Sequence, residues 1–295
     1  MLTVRLQGGL GNQLFQYAFI KSLALHKGVG FQLDRRYLLN RTPRKNFTFR
    51  DYDLSIFNIE ENFYQPDVAW TAKQVYTDKL RLYAQLKRQH LTGKIRRKYI
   101  EPFFQYDDRI AQIPHNAYCV GYFQSYRYFE DMFPQMRTDF SFKTPIDYAC
   151  YPLLQQIEET NSVALHVRRG DFVNHTFHGS VSMEYYLAAV AHLAKTENNL
   201  QLFVFSDDVH WCSQHLSFEY PTVFVAAELA GEKARNHFEL MQKCKHFIIS
   251  NSSFAWWAAY LGNASNKKVV APKKWLQNPI INTNDITPPS WLRLA

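Results

Sequence analysis

No stretch of the 295 residues approaches the apolar length of a membrane span. The first residues, Met1-Leu2-Thr3-Val4-Arg5-Leu6, run straight into a glycine turn without a basic leader, so a signal peptide is not expected. Cysteine is scarce: Cys119, Cys150, Cys212 and Cys244 stand far apart and form no C-x-x-C pair. That spacing argues against a zinc site and a disulfide framework, and makes a reducing, cytoplasmic setting the expectation. Neither a G-x-G-x-x-G fingerprint nor a Walker A lysine is present, which weakens a dinucleotide or ATP reading.

Positive charge and apolar mass are what the chain has. Lys and Arg number 34 against 26 Asp and Glu, giving +8 at pH 7. An anionic partner follows: nucleotide phosphates, nucleic acid or an acidic membrane surface. Apolar residues reach 46% and aromatics 16%, so the chain folds rather than staying disordered. Its length suffices for two domains. Pro134, Pro145 and Pro152 punctuate a plausible linker, so domains 1–144 and 145–295 are expected.

Leu2 to Leu6 alternates as a strand. Gln7 to Gln13 reads as a glycine loop carrying Gly9, Gly11 and Asn12, and Leu14, Phe15, Ala18, Phe19, Ser22 and Leu25 recur at helical spacing until Gly28. Strand, glycine loop and helix start form a layout that turns backbone N–H groups toward an anion or a sugar. The carboxamides of Asn12 and Gln13 suit hydroxyl-rich ligands; the plainer reading is a tight turn. Residues 31 to 75 read as irregular. From Lys79 to Lys98 the chain holds eight Lys or Arg and no acid, with Leu80, Tyr83, Leu86 and Leu91 interleaved. Such a run is most simply a solvated helix face, with an amphipathic helix on anionic lipid or RNA as the functional alternative. Nothing resembles an RNA-recognition aromatic signature.

The second half alternates strands and helices, which predicts a parallel sheet covered on both faces. Its central strand, Val163 to Val167, runs out into Arg168-Arg169-Gly170-Asp171, with His166 just inside. Two further strands end in Ser206-Asp207-Asp208 and in Ser250-Asn251-Ser252-Ser253-Phe254. In parallel order all three clusters reach one sheet edge, where α/β proteins bind ligands. Arginine's planar fork matches phosphate oxygens, and a helix start after Ser252 favours anions without a metal. Asp207 or Asp208 could hold a purine, or cap the next helix. No third carboxylate or histidine stands at metal-ligand spacing, so no metal site is assigned.

The chain resembles the inverting α-1,2-fucosyltransferases of glycosyltransferase family 11. The likeness lies in Gly8-Gly9-Leu10-Gly11-Asn12-Gln13-Leu14-Phe15-Gln16, His166-Val167-Arg168-Arg169-Gly170-Asp171, Phe205-Ser206-Asp207-Asp208 and Ser250-Asn251-Ser252-Ser253-Phe254-Ala255-Trp256-Trp257. The arginine motif is shared with α-1,6- and protein O-fucosyltransferases; the glycine motif and the Trp-Trp segment point to the α-1,2 group. The resemblance implies an α/β GT-B fold, two Rossmann-like domains facing across a cleft. It implies GDP-L-fucose bound by the second half, a galactose-terminated acceptor on the first, and no metal or other cofactor. Arg168 would bridge the diphosphate with Arg169 either assisting or structural, and His166, Ser206 and Asp207 or Asp208 would hold the nucleotide. Ser252 and Ser253 would hold the β-phosphate and Asn12 the donor or acceptor end, where it would also be catalytic, with Asn251, Phe254, Gly9 and Gly11 as further donor-binding residues. Asp171 and His178 are the candidates for the general base. Alternatives are another linkage (α-1,6 or α-1,3) or a non-catalytic nucleotide- or RNA-binding protein, although nucleic acid is not the expected partner. The expected location is the cytoplasm, with peripheral contact at an anionic membrane surface allowed by the basic run.

Overall fold

The computed structural model describes residues 1–43, 48–102, 104–170, 179–278 and 280–295. The chain divides into two compact units, Met1–Lys143 with Asn284–Ile286, and Thr144–Thr283 with Thr287–Ala295. Each is an α/β unit built on an all-parallel sheet.

The first unit's sheet holds β1 (Leu2–Arg5), β2 (Phe31–Asp34), β3 (Lys98–Ile100) and β4 (Tyr118–Val120), in spatial order β2-β1-β4-β3. Every residue of β1 is buried, because strands lie on both sides of it. The helix Leu10–Lys27 follows and ends at Gly28, whose φ of 62° lets its N–H reach the carbonyls of Ala24 and Leu25. This helix starts earlier than its apolar spacing suggests. Gly9 is its N-cap, so Gly11, Asn12 and Gln13 belong to the first turn rather than to a loop. Residues 31 to 75 also contain more order than their composition indicates. Phe31–Asp34 is a short edge strand, too brief to show a period. Strand β3 forms from the tail of the basic run, where Tyr99 is buried against β4.

The second unit's sheet holds β5 (Asn161–Val167), β6 (Leu200–Ser206), β7 (Thr222–Phe224), β8 (His246–Ile248), β9 (Val269–Pro272) and β10 (Leu292–Leu294). Their order is β10-β9-β8-β5-β6-β7, and every pairing is parallel. The central strands are continuous apolar runs, as a sheet covered on both faces requires. Val163, Leu165, Leu202 and Val204 pack against Tyr185, Tyr186, Ala189 and Leu193 of the helix Met183–Leu193. β10 escaped the sequence reading because three residues at a chain end carry no period. All four cysteines are free and buried, and burial raises the Cys119 and Cys244 thiols well above their ordinary pKa. No helix among the described residues is long and apolar enough to cross a membrane.

Candidate functional site

Register puts the chemistry at one edge of the second sheet. His166 on β5 stands opposite Phe205 on β6, and Val167 opposite Ser206. Leu165 stands opposite Ile248 on β8. The chain therefore steps off three neighbouring strands at Arg168, Asp207 and Ile249-Ser250, side by side.

The bridge between two of these ends is a hydrogen bond. His166 Nδ1 and Ser250 Oγ lie 2.9 Å apart, and both residues are buried. Burial first, then the charge of Arg168, pushes the His166 imidazole down to about 3, so it stays neutral at physiological pH. Its ring also packs near Phe254, which in turn meets Phe238 edge-on.

The two arginines divide their roles. Arg168 is partly exposed, and its Nη1 lies 3.0 Å from Asp207 Oδ2. The other Asp207 oxygen accepts from the backbone N–H of Arg169 at 2.9 Å. Arg169 stacks over the Trp211 ring at 3.4 Å from its centroid, with Nε 3.4 Å from Asp208. A guanidinium clamped between an indole and a carboxylate fits the structural of the two roles read for Arg169. Asp208 is also the N-cap of the helix Val209–His215, accepting from Trp211 N, while its own N–H donates to Ser206 Oγ. Asp208 takes the capping reading, and both carboxylates also pair with the arginines, a role the sequence did not announce. Gly170 is required by this packing: a Cβ there would come within 2.4 Å of Asp207 Oδ2.

The third strand end leads into the helix Ser253–Leu261, with Ser252 as its N-cap. Ser252 makes no side-chain capping bond, so its hydroxyl is not committed to the helix. Asn251 is committed: its amide donates to the carbonyls of Gly179 and Trp275, both at 3.1 Å. Trp256 and Trp257 are fully buried and belong to the core. Asp171 and His178 lie outside the described residues. Among the described residues, no three His, Cys, Asp or Glu side chains gather in a way that could hold a metal ion.

The first unit has a corresponding edge. Asn12 Oδ1 accepts from Gln124 Nε2 at 2.7 Å, above Gly8, whose φ of 78° brings it against the Asn12 side chain. Gly9 is the helix N-cap and Gly11 is buried in the first turn. Gln13, read from sequence as a ligand partner, is instead fully buried. It donates to the carbonyls of Gly8 and Asp51 and accepts from Asp53 N, so it ties the turn to a neighbouring segment.

Sequence reading missed several residues here. Glu101, just past β3, accepts from the backbone N–H groups of Tyr122 and Phe123 at 2.7 and 2.9 Å. Burial raises its carboxyl to about 7 against those two bonds. Phe123 has a φ of 54°, an uncommon conformation for an aromatic residue. In the second unit, Lys233 and Ala234 are both left-handed, just before the helix Arg235–Lys243. Backbone of that kind concentrates at functional sites, but no motif announces it. Trp211 carried no local signal either, because its partner lies 42 residues earlier in the chain.

A parallel α/β sheet edge bearing an arginine, a neutral histidine and a helix start with serine at its N-cap is an arrangement chemically suited to an anionic group. The profile of Glycosyl transferase family 11 matches residues 1–295, and the chain belongs to that family. It is 31% identical to an α-1,2-colitosyltransferase of Escherichia coli, over 100% of this chain and 99% of that protein. It is 28% identical to the O-antigen biosynthesis glycosyltransferase WbnK of Escherichia coli, over 98% and 99%. Against the galactoside 2-α-L-fucosyltransferase Sec1 of Mus musculus the identity is 26%, over 88% of this chain and 64% of that one. Among solved structures, NodZ α-1,6-fucosyltransferase soaked with GDP-fucose aligns with a TM-score of 0.47 at 15% identity, covering 88% of this chain and 92% of that chain.

Proposed function

We propose that this glycosyltransferase moves L-fucose from GDP-L-fucose to the 2-hydroxyl of a terminal galactose on a glycan, with inversion and without a metal ion. One observation carries the reading. In a family 11 chain, Arg168 and the uncommitted Ser252 hydroxyl leave adjacent regions of one sheet, joined by the His166–Ser250 hydrogen bond.

In the proposed step the acceptor oxygen forms a bond to the fucose anomeric carbon while the bond from that carbon to the phosphate oxygen breaks. GDP leaves with the bonding pair, and the acceptor hydroxyl gives its proton to a base, for which Asp171 and His178 are the candidates. Negative charge grows on the departing diphosphate. Arg168 meets it with a planar fork, and the helix start at Ser252 and Ser253 meets it with backbone N–H groups and hydroxyls. Neutral His166 holds that wall in place without adding a second charge beside Arg168. Asp207 orients Arg168, and Arg169, Ser206 and Asp208 brace the loop. Asn251 fixes the β8 end on which Ser252, Ser253 and Phe254 sit. Gly9, Gly11 and Asn12, at the start of the first unit's long helix, contact the donor sugar or the acceptor.

The 31% identity to a colitosyltransferase supports a second reading, in which colitose replaces fucose on the donor. Both are tested together by incubating the protein with GDP-fucose or GDP-colitose and a panel of β-galactosyl acceptors, with EDTA present. Linkage is read by NMR. An α-1,2-fucosyl product is the expected result. Transfer of colitose alone would move the donor assignment, and a requirement for added metal would overturn the charge-balance argument.

A further inference from the structure

The basic run is a helix, Ala72–Thr92, that starts at a capping box between Thr71 and Gln74. It buries Val75 and Gln89 against the first unit. On the side away from that stripe lie Tyr76, Leu80, Tyr83 and Leu91, which are 66%, 55%, 61% and 82% exposed. Their spacing sets them in one line along the helix. All five basic residues of the helix, Lys73, Lys79, Arg81, Lys87 and Arg88, are exposed, as are the three at 94, 96 and 97. The single acid between 72 and 98, Asp78, is turned inward, accepting from Arg5 at 2.6 Å and Lys98 at 3.0 Å. The outer face is therefore a row of large apolar side chains flanked by uncompensated positive charge.

A solvated face has no use for that row. A nucleic acid would use the charge but would leave Leu80 and Leu91 in water. An anionic bilayer satisfies both components at once, since apolar side chains enter the acyl boundary while Lys and Arg meet headgroup phosphates. Beside the row lies a hollow of about 510 Å³ lined by Tyr83, Leu86, Leu91 and Pro102, with Lys87 and Arg109. Apolar walls with Lys87 at the rim, Arg109 being paired with Asp107, suit an acyl chain beneath an anionic headgroup.

We propose that the helix Ala72–Thr92 lies on the surface of a phospholipid bilayer carrying anionic headgroups, with Leu80 and Leu91 entering the acyl boundary. The full chain is co-sedimented with vesicles of phosphatidylcholine alone and of phosphatidylcholine with phosphatidylglycerol. At least about tenfold tighter association with the anionic vesicles is expected. Leu80→Ser with Leu91→Ser lowers that association about tenfold or more, as loss of two inserted leucines implies. Lys87→Gln with Arg88→Gln lowers it about fivefold per charge. All these positions are exposed, so melting temperature and transfer to a small water-soluble acceptor stay unchanged. Absence of vesicle binding, or binding indifferent to the leucine pair, overturns the proposal. So does binding of single-stranded RNA through this patch by a protein that ignores vesicles.

Discussion

Arg168 is the residue on which the proposed chemistry turns. Removing one preorganised donor to a developing charge commonly costs on the order of 100-fold in rate or more. Arg168→Ala is expected to lower kcat by at least that factor, and Arg168→Lys to recover little, because an ammonium is a point charge and not a fork. Steady-state kinetics with saturating donor checks both; retention of more than half the parent rate removes the assignment. Gly170→Ala is expected to impair the same step indirectly, since its Cβ would drive Asp207 off Arg168. Two titratable groups, buried His166 and half-buried Glu101, shape stability in opposite directions. His166 falls to about 3 in the folded chain. The unfolded chain therefore takes up the extra proton first, and stability is lost as pH falls below about 6.5 toward 3. Glu101 is raised to about 7. Its folded form holds a proton that the unfolded chain releases, so stability is lost as pH rises from about 4.5 through 7. Urea midpoints across pH are expected to show a shallower acid limb in His166→Gln and a shallower neutral limb in Glu101→Gln. Parallel curves for variants and parent would refute these two contributions.

At the scale of elements, the helix Ser253–Leu261 offers a clean separation of folding from binding. Ser252 makes no capping bond and the helix body is core, with Trp256 and Trp257 fully buried. Ser252→Ala is therefore expected to leave the melting temperature nearly unchanged while raising the KM for the nucleotide sugar several-fold. A matching loss of stability would mean that the hydroxyl serves the fold instead. Strand β5 was legible because it lies at the centre of a parallel sheet, where both faces demand apolar residues and the run ends abruptly at charge. Strands β2 and β10 were not, because three or four residues at a sheet edge show no period and pair with partners remote in sequence. The glycine segment was half legible. Its residue types announced a turn before a helix, but only packing set the helix start at Leu10 and sent Gln13 inward.

For the whole molecule, a ligand that binds the folded chain alone must stabilise it. GDP at about 100 times its Kd adds about 2.7 kcal/mol. A rise in melting temperature with GDP is expected, undiminished by EDTA and reduced in Arg168→Ala. Stabilisation that vanishes with EDTA would instead assign the diphosphate to a metal ion. The four strand-end motifs were visible as clusters of polar residues after apolar runs, and they sufficed for the family to which the chain belongs. Their division of labour was not visible. That Asp207 and Asp208 serve the arginines depends on the register of β5 against β6, a pairing of residues about 40 apart.

Residue type and order by themselves determined that the second half is an α/β unit on a parallel sheet, that it carries a row of anion-seeking groups at its strand ends, and that one stretch is strongly basic. These follow from local periodicity and from what ends each apolar run. Only the tertiary structure decided which polar groups brace their neighbours, as Asp207, Asp208, Arg169 and Gln13 do. It also decided that Tyr76, Leu80, Tyr83 and Leu91 point outward. The physical reason is the same in each case: burial and partnership are set by strands and helices distant in the chain, and no local pattern encodes a contact with a residue it does not contain.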